Sequence, residues 1–189
     1  DIRTGRCLLQ QPLPAIPKQI KSSPNRRYLL LLWEFKPSRY RADVYEMTSL
    51  EKKSSLEVDS FFEDPYVNPA AEVSNFALDE TTGWLGITTW EKVLMHNIHS
   101  KETKQYRVEG VRQFSAIAPY GKTWWLTGTD LGKQKTGIWE LNPATGSPPV
   151  QKLLFEKEFI VHELIPDASA KRLLMFSDTK QVDEISITT

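Results

Sequence analysis

Three histidines, a lone cysteine and one glycine–lysine run are the first places to look for chemistry in this 189-residue chain. The histidines are His96, His99 and His162. A histidine metal site needs further ligands at recognisable spacing, and no Cys or carboxylate shares such spacing with these three, so no metal is expected. His96 and His99 are three residues apart, which puts them on opposite faces of a strand. His96 reads as a packed, hydrogen-bonded structural histidine and His99 as an exposed loop residue. Cys7 has no partner for an internal disulfide and no evident base, so it reads as a small buried hydrophobe. The run GTDLGK, Gly128 to Lys133, is one residue short of a phosphate loop and is followed by Gln134 rather than Ser or Thr. It lies between two strand-like segments, with no helix N-terminus to face a phosphate, and reads as a hairpin loop. The acidic pairs Glu63–Asp64 and Asp79–Glu80 read as turn caps or solvated groups. Acid–base catalysis would need two carboxylates to converge in space. No catalytic residue and no cofactor is therefore assigned, and a non-enzyme is favoured.

Binding chemistry is better represented. Arg26, Arg27, Lys36, Arg39 and Arg41 cluster around Tyr28 and Tyr40. Arginine beside an aromatic ring can hold phosphate or stack on bases, although a solvated rim around a hairpin has the same composition. Downstream, FFEDPYVNPAAEV supplies Phe61, Phe62 and Tyr66, which would anchor a protein partner if exposed. The candidate partner-binding set is therefore Arg39, Tyr40, Arg41, Phe61, Phe62 and Tyr66. Lys plus Arg and Asp plus Glu both number 24, so no large basic field favours nucleic acid or an anionic membrane. The longest apolar run, YLLLLW, falls well short of the roughly 18 residues of a membrane-spanning helix, so no membrane span is expected.

The elements that must position these residues read as strands. Segments rich in Val, Ile, Leu, Phe, Tyr and Trp are short and are separated by Pro, Gly, Asn, Asp and Ser clusters. None keeps a helical apolar stripe. Strong strands open at Tyr28, Trp84, Trp124 and Leu173, spaced 56, 40 and 49 residues apart. A polar turn precedes each one: SSPNRR, LDETTG, APYGKT and PDASAKR. Before each turn lies a further strand, at AIPKQI, SNFAL, FSAIA and VHELI. Third strands follow at DVYEMTS, LMHNIHS, GIWELNP and VDEISITT, and fourth strands at SSLEVDS, KQYRVEG and VQKLLFE. Four strands per repeat of this length make the blade of a β-propeller, whose exposed faces are buried by packing blades around an axis. The expected fold is all-β, a propeller of about four four-stranded blades over residues 1–189, with FFEDPYVNPAAEV as a rim insertion. In this frame His162 falls on an inner strand.

Two columns across the third strands support the alignment. Tyr45, His96, Trp139 and Ile185 form one; Met47, Ile98, Leu141 and Ile187 form the other. Period-2 alternation puts both on one sheet face, as an inter-blade surface requires. Trp124 and Trp125, adjacent in a strand, should point to opposite faces. At the chain ends, DIRTG resembles NPATG and RCLLQ a fourth strand, while the last repeat stops at ISITT. Two arrangements follow: a closed four-blade ring completed by the N-terminal strand, or an excerpt of a larger ring, which needs no special geometry and is favoured.

On GIWELNPATG and DIRTG the chain resembles the β-propeller repeats of the WD-repeat and TolB-like kinds, in which a strand ending in an aromatic and an acidic residue runs into a turn ending Thr-Gly. Trp139-Glu140 stands where WD repeats often carry Trp-Asp. APYGKTWWLTGT and PDASAKRLLMFSD look like the opening common to both kinds. The Gly-His pair of WD repeats is absent, and Pro119 and Pro166 are followed by Tyr-Gly and Asp-Ala-Ser rather than Asp-Gly. The resemblance implies a propeller, and propellers serve many functions. The leading expectation is a non-catalytic scaffold that binds protein partners through rim loops. Alternatives are the propeller domain of a larger enzyme, such as a serine peptidase or other hydrolase, and a small-ligand sensor.

Overall fold

The computed structural model describes residues 16–36, 39–59, 73–179 and 182–186. Among these the secondary structure is all strand and turn, with no helix. Four antiparallel sheets follow one another along the chain and form a four-blade β-propeller. The first blade is β1 (Gln19–Ser22), β2 (Tyr28–Lys36), β3 (Arg39–Glu46) and β4 (Lys52–Asp59), side by side in that order. The second is β5 (Asn75–Leu78), β6 (Trp84–Thr88), β7 (Val93–Asn97) and β8 (Thr103–Tyr106). A short β9 (Val111–Arg112) precedes the third, which comprises β10 (Ile117–Tyr120), β11 (Thr123–Asp130), β12 (Lys135–Leu141) and β13 (Val150–Leu154). The fourth shows three strands among the described residues: β14 (Val161–Asp167), β15 (Arg172–Ser177) and β16 (Val182–Ser186).

The four repeat openings fall where the apolar pattern places them, on β2, β6, β11 and β15. Their turns follow from local chemistry. In LDETTG, Asp79 accepts hydrogen bonds from the Thr81 backbone N–H and the Thr82 hydroxyl, as a turn-capping Asp should. In NPATG, Asn142 accepts from the Ala144 N–H at 3.0 Å, and Gly146 closes the turn at φ +70°, a conformation that suits a residue without a Cβ. GTDLGK is a hairpin loop: β11 ends at Asp130, whose carboxylate accepts from the Lys133 N–H, and β12 starts at Lys135.

Burial is two-sided on the central strands, because each blade between two others covers both of its faces. Every residue of β6 is buried, and so are Trp124 to Thr129 on β11. Side chains from adjacent blades form three clusters. Tyr28, Leu30 and Tyr40 of the first blade meet Phe76, Leu85 and Ile87 of the second. Trp84 and Met95 of the second meet Trp124, Leu126 and Trp139 of the third. Ala116, Trp125 and Ile138 of the third meet Leu164, Leu173 and Met175 of the fourth. Trp124 and Trp125 thus serve different interfaces, as strand alternation requires. At about 25 cal/mol per Å² of apolar area, each buried indole is a large contribution to its interface.

The first third-strand column holds together. His96, Trp139 and Ile185 all face the preceding blade, paired with Leu85, Leu126 and Leu173. Tyr45 occupies the same position on the first blade, in a small cluster with Leu31 and Trp33 on the face turned away from the second blade. The second column holds at Ile98 and Leu141, which are buried. It fails at Met47, which lies past the end of β3 in a turn and is exposed; Ile187 lies outside the described residues. Two boundaries also differ. In FSAIA, Phe114 and Ala116 pack in the core before the strand begins at Ile117. The pairing of β9 with β11 was not expected; it arises where Gly128 leaves room for Val111 and Phe114. DIRTG, RCLLQ, Cys7 and the insertion with Glu63 and Asp64 lie outside the described residues.

Candidate functional site: the axial cavity and two surfaces

The first strand of every blade lines one central cavity of about 430 Å³. β1 contributes Lys21 and Ser22, β5 contributes Asn75 to Leu78, β10 contributes Ile117 to Pro119, and β14 contributes Glu163 to Pro166. Together with Leu30 these walls are mostly apolar, with a few polar groups converging, which is the usual anatomy of a small-molecule pocket.

The polar groups form a chain across the axis. The Lys21 ammonium donates to Asn75 Oδ1 and stands over the Phe76 ring, 5.4 Å from its centre. Asn75 is almost wholly buried; its Nδ2 donates to the His162 carbonyl at 3.0 Å, and its Oδ1 also accepts from the Phe76 N–H. His162 therefore lies on an inner strand, at an irregularity in the β14–β15 register, with its side chain exposed and its backbone in use. Glu163 lies beside it with an exposed side chain. Burial lowers the pKa of Lys21 below its ordinary value, and the Glu163 charge opposes part of that shift. No sequence motif marks Lys21, Asn75 or Glu163. Their only common feature is position: each lies on the first strand of its blade, β1, β5 or β14.

His96 takes the structural role its column implies. It is buried between the first two blades, with Nε2 2.9 Å from Ser54 Oγ and Nδ1 2.8 Å from Thr103 Oγ1. Desolvation, and then the nearby Lys101 charge, hold its pKa below the ordinary value of 6.5. Among the described residues no group of three or more His, Cys, Asp or Glu side chains is placed to hold a metal ion.

The arginine–aromatic cluster is split by strand alternation. Tyr40 is buried in the core between the first two blades, with its hydroxyl near Glu34 and Lys18. Arg41 projects to the other face, where it lies over the Trp33 ring and pairs with Asp43 at 3.3 Å. Arg39 begins β3 and is exposed. Phe61, Phe62 and Tyr66 lie outside the described residues.

A second surface lies on the fourth blade, on the side away from the third. Strand pairing groups Ile165 with Leu174, and Phe176 with Val182. Ile165, Phe176 and Val182 are all exposed. Charges surround them: Arg172 pairs with Asp167 at 3.0 Å and with Glu184 at 2.7 Å. The Asp167 carboxyl is lowered to about 2, first by the Ser169 hydroxyl and then by the Ala170 N–H and Arg172.

No family model matches the chain, and no curated protein matches it in sequence. Solved structures match the fold. The chain is similar to Kuenenia stuttgartiensis hydrazine synthase, at TM-score 0.63 and 14% identity over 94% of this chain and 48% of that one. It is similar to the Neurospora crassa Pan2 WD40 domain, at TM-score 0.58 and 10% identity over 90% and 46% of the two chains. It is also similar to the computationally designed Ika4 protein, at TM-score 0.59 and 11% identity over 96% and 100%. The chain thus spans about half the length of the first two. These likenesses agree with the propeller and carry the fold alone.

Proposed function

We propose that this chain is a non-catalytic β-propeller binding domain that engages protein partners at its periphery. The observation that carries the reading is the outward face of the fourth blade. Exposed Ile165, Phe176 and Val182 form an apolar centre, and Asp167, Arg172 and Glu184 form a charged margin around it. An apolar centre within a polar rim is the anatomy of a protein interface. The rim set of Arg39, Arg41, Phe61, Phe62 and Tyr66 belongs to the same proposal as a second contact region, with buried Tyr40 supporting the β3 backbone from beneath. The hydrazine synthase likeness, at 14% identity, adds nothing in favour of an enzyme.

The test is photo-crosslinking in cells that express the chain. A photoreactive side chain at position 176 is expected to capture a discrete heterologous protein, and Val182→Asp should abolish that product. The same group at exposed Glu109 should capture none. Equal, diffuse labelling from both positions would overturn the reading, and so would a product that contains only a second copy of the chain.

A further inference from the structure

We propose that the axial cavity is a binding site for a small zwitterion with an apolar side chain, of the α-amino acid class, its carboxylate held by Lys21 and its ammonium group by Glu163. This inference concerns the propeller axis and does not rest on the partner surface of the fourth blade, although the two adjoin: Ile165 lines the cavity as well, and Glu163 pairs across the strands with Phe176.

Unused hydrogen-bonding capacity comes first. A lysine ammonium has three donors, and Lys21 directs one of them to Asn75. The Glu163 carboxylate, an acceptor with about four lone-pair sites, accepts no hydrogen bond among the described residues. Both groups line the cavity and act on each other electrostatically.

Asn75 makes the Lys21 position a built one. Its amide is anchored to the His162 carbonyl on one side and the Phe76 N–H on the other. The carbonyl oxygen left facing Lys21 therefore holds the ammonium over the Phe76 ring. Lys21 is drawn into a mainly apolar cavity, where an anionic partner recovers electrostatic energy that water no longer supplies.

Charge selects the ligand class. A simple carboxylate would satisfy Lys21 but bring a second negative charge towards Glu163. A simple amine would satisfy Glu163 but stand near the Lys21 ammonium. A zwitterion meets both, and rejection of the singly charged forms follows from the group each would leave facing a like charge. Leu30, Phe76, Ile117 and Leu164, all buried and all lining the cavity, then receive the apolar side chain. The cavity, at about 430 Å³, is large enough for such a ligand.

The experiment is calorimetric titration of the intact chain with three probes: L-phenylalanine, N-acetyl-L-phenylalanine, which keeps only the negative charge, and L-phenylalaninamide, which keeps only the positive one. L-Phenylalanine should bind saturably, with each analogue weaker by about tenfold or more. Lys21→Met should remove the preference for phenylalanine over the amide, and Glu163→Gln the preference over the N-acetyl compound. Glu163 is exposed, so Glu163→Gln decides the matter if Lys21→Met does not fold. No heat with L-phenylalanine, equal affinity for all three probes, or unchanged preferences in a folded Glu163→Gln variant would each overturn the proposal.

Discussion

Gly86 on the second blade lies directly beneath Trp124 on the third: a Cβ built on Gly86 would stand 2.7 Å from Trp124 Cζ3 and 2.7 Å from Ile117 Cδ1. Real Cβ atoms do not approach so closely, so the indole occupies its place because position 86 carries no side chain.

Gly86→Ala is therefore expected to destabilise the fold by about 1–3 kcal/mol, the usual cost of overpacking a filled core. Gly132→Ala, in the β11–β12 loop, meets only Asp130 Oδ1 at 3.5 Å and should change stability by less than about 0.5 kcal/mol. Urea unfolding of the two variants beside the parent chain makes the comparison. Equal midpoints for all three would show that the second and third blades adjust at no cost.

His96 predicts a pH dependence whose sign follows from its surroundings. Burial and Lys101 lower its folded-state pKa below the ordinary 6.5, so the unfolded chain takes up a proton more readily than the folded one. The associated stability is fully present above about pH 6.5 and is lost as the pH falls towards the folded-state value. His96→Gln should remove that part of the slope between about pH 5 and 7.5. Denaturant midpoints measured across this range give the answer, and parallel profiles would contradict it.

Asp43 has a side chain with no solvent exposure and two cations at equal distance: Arg41 Nε and Lys52 Nζ, each 3.3 Å away. Ser55 also donates to it at 2.6 Å. Either cation alone partly compensates the carboxylate, so Arg41→Ala and Lys52→Ala should each be tolerated better than the pair. The double variant leaves a buried charge without a cation and is expected to lose about 3–5 kcal/mol, more than the two single losses added together. A double-mutant cycle in urea reads the difference directly; strict additivity would mean that Asp43 is solvated by other means.

Much of the propeller is legible in local pattern. Strand openings at Tyr28, Trp84, Trp124 and Leu173 are visible because apolar and β-branched runs follow polar turns, and both signals act within a few residues of each other. The opposite faces of Trp124 and Trp125 follow from strand alternation alone. The packed role of His96 follows from its column with Trp139 and Ile185.

The candidate site is a different matter. Lys21, Asn75 and Glu163 are 54 and 88 residues apart along the chain, and nothing in their spacing relates them. They meet because inner strands from separate blades converge on one axis, and the twist and packing of whole blades set that convergence. Tyr40 shows the same limit in the other direction. It stands in sequence between Arg39 and Arg41, yet the apolar face of the first blade turns its ring into the core while Arg41 turns outward. The sequence by itself determined the strands, their turns and the period of the repeat, because those depend on neighbouring residues. Which side chains share the cavity, which lie between blades and which remain exposed on the fourth blade was decided by the tertiary structure, because each depends on how blades distant in sequence pack around the axis.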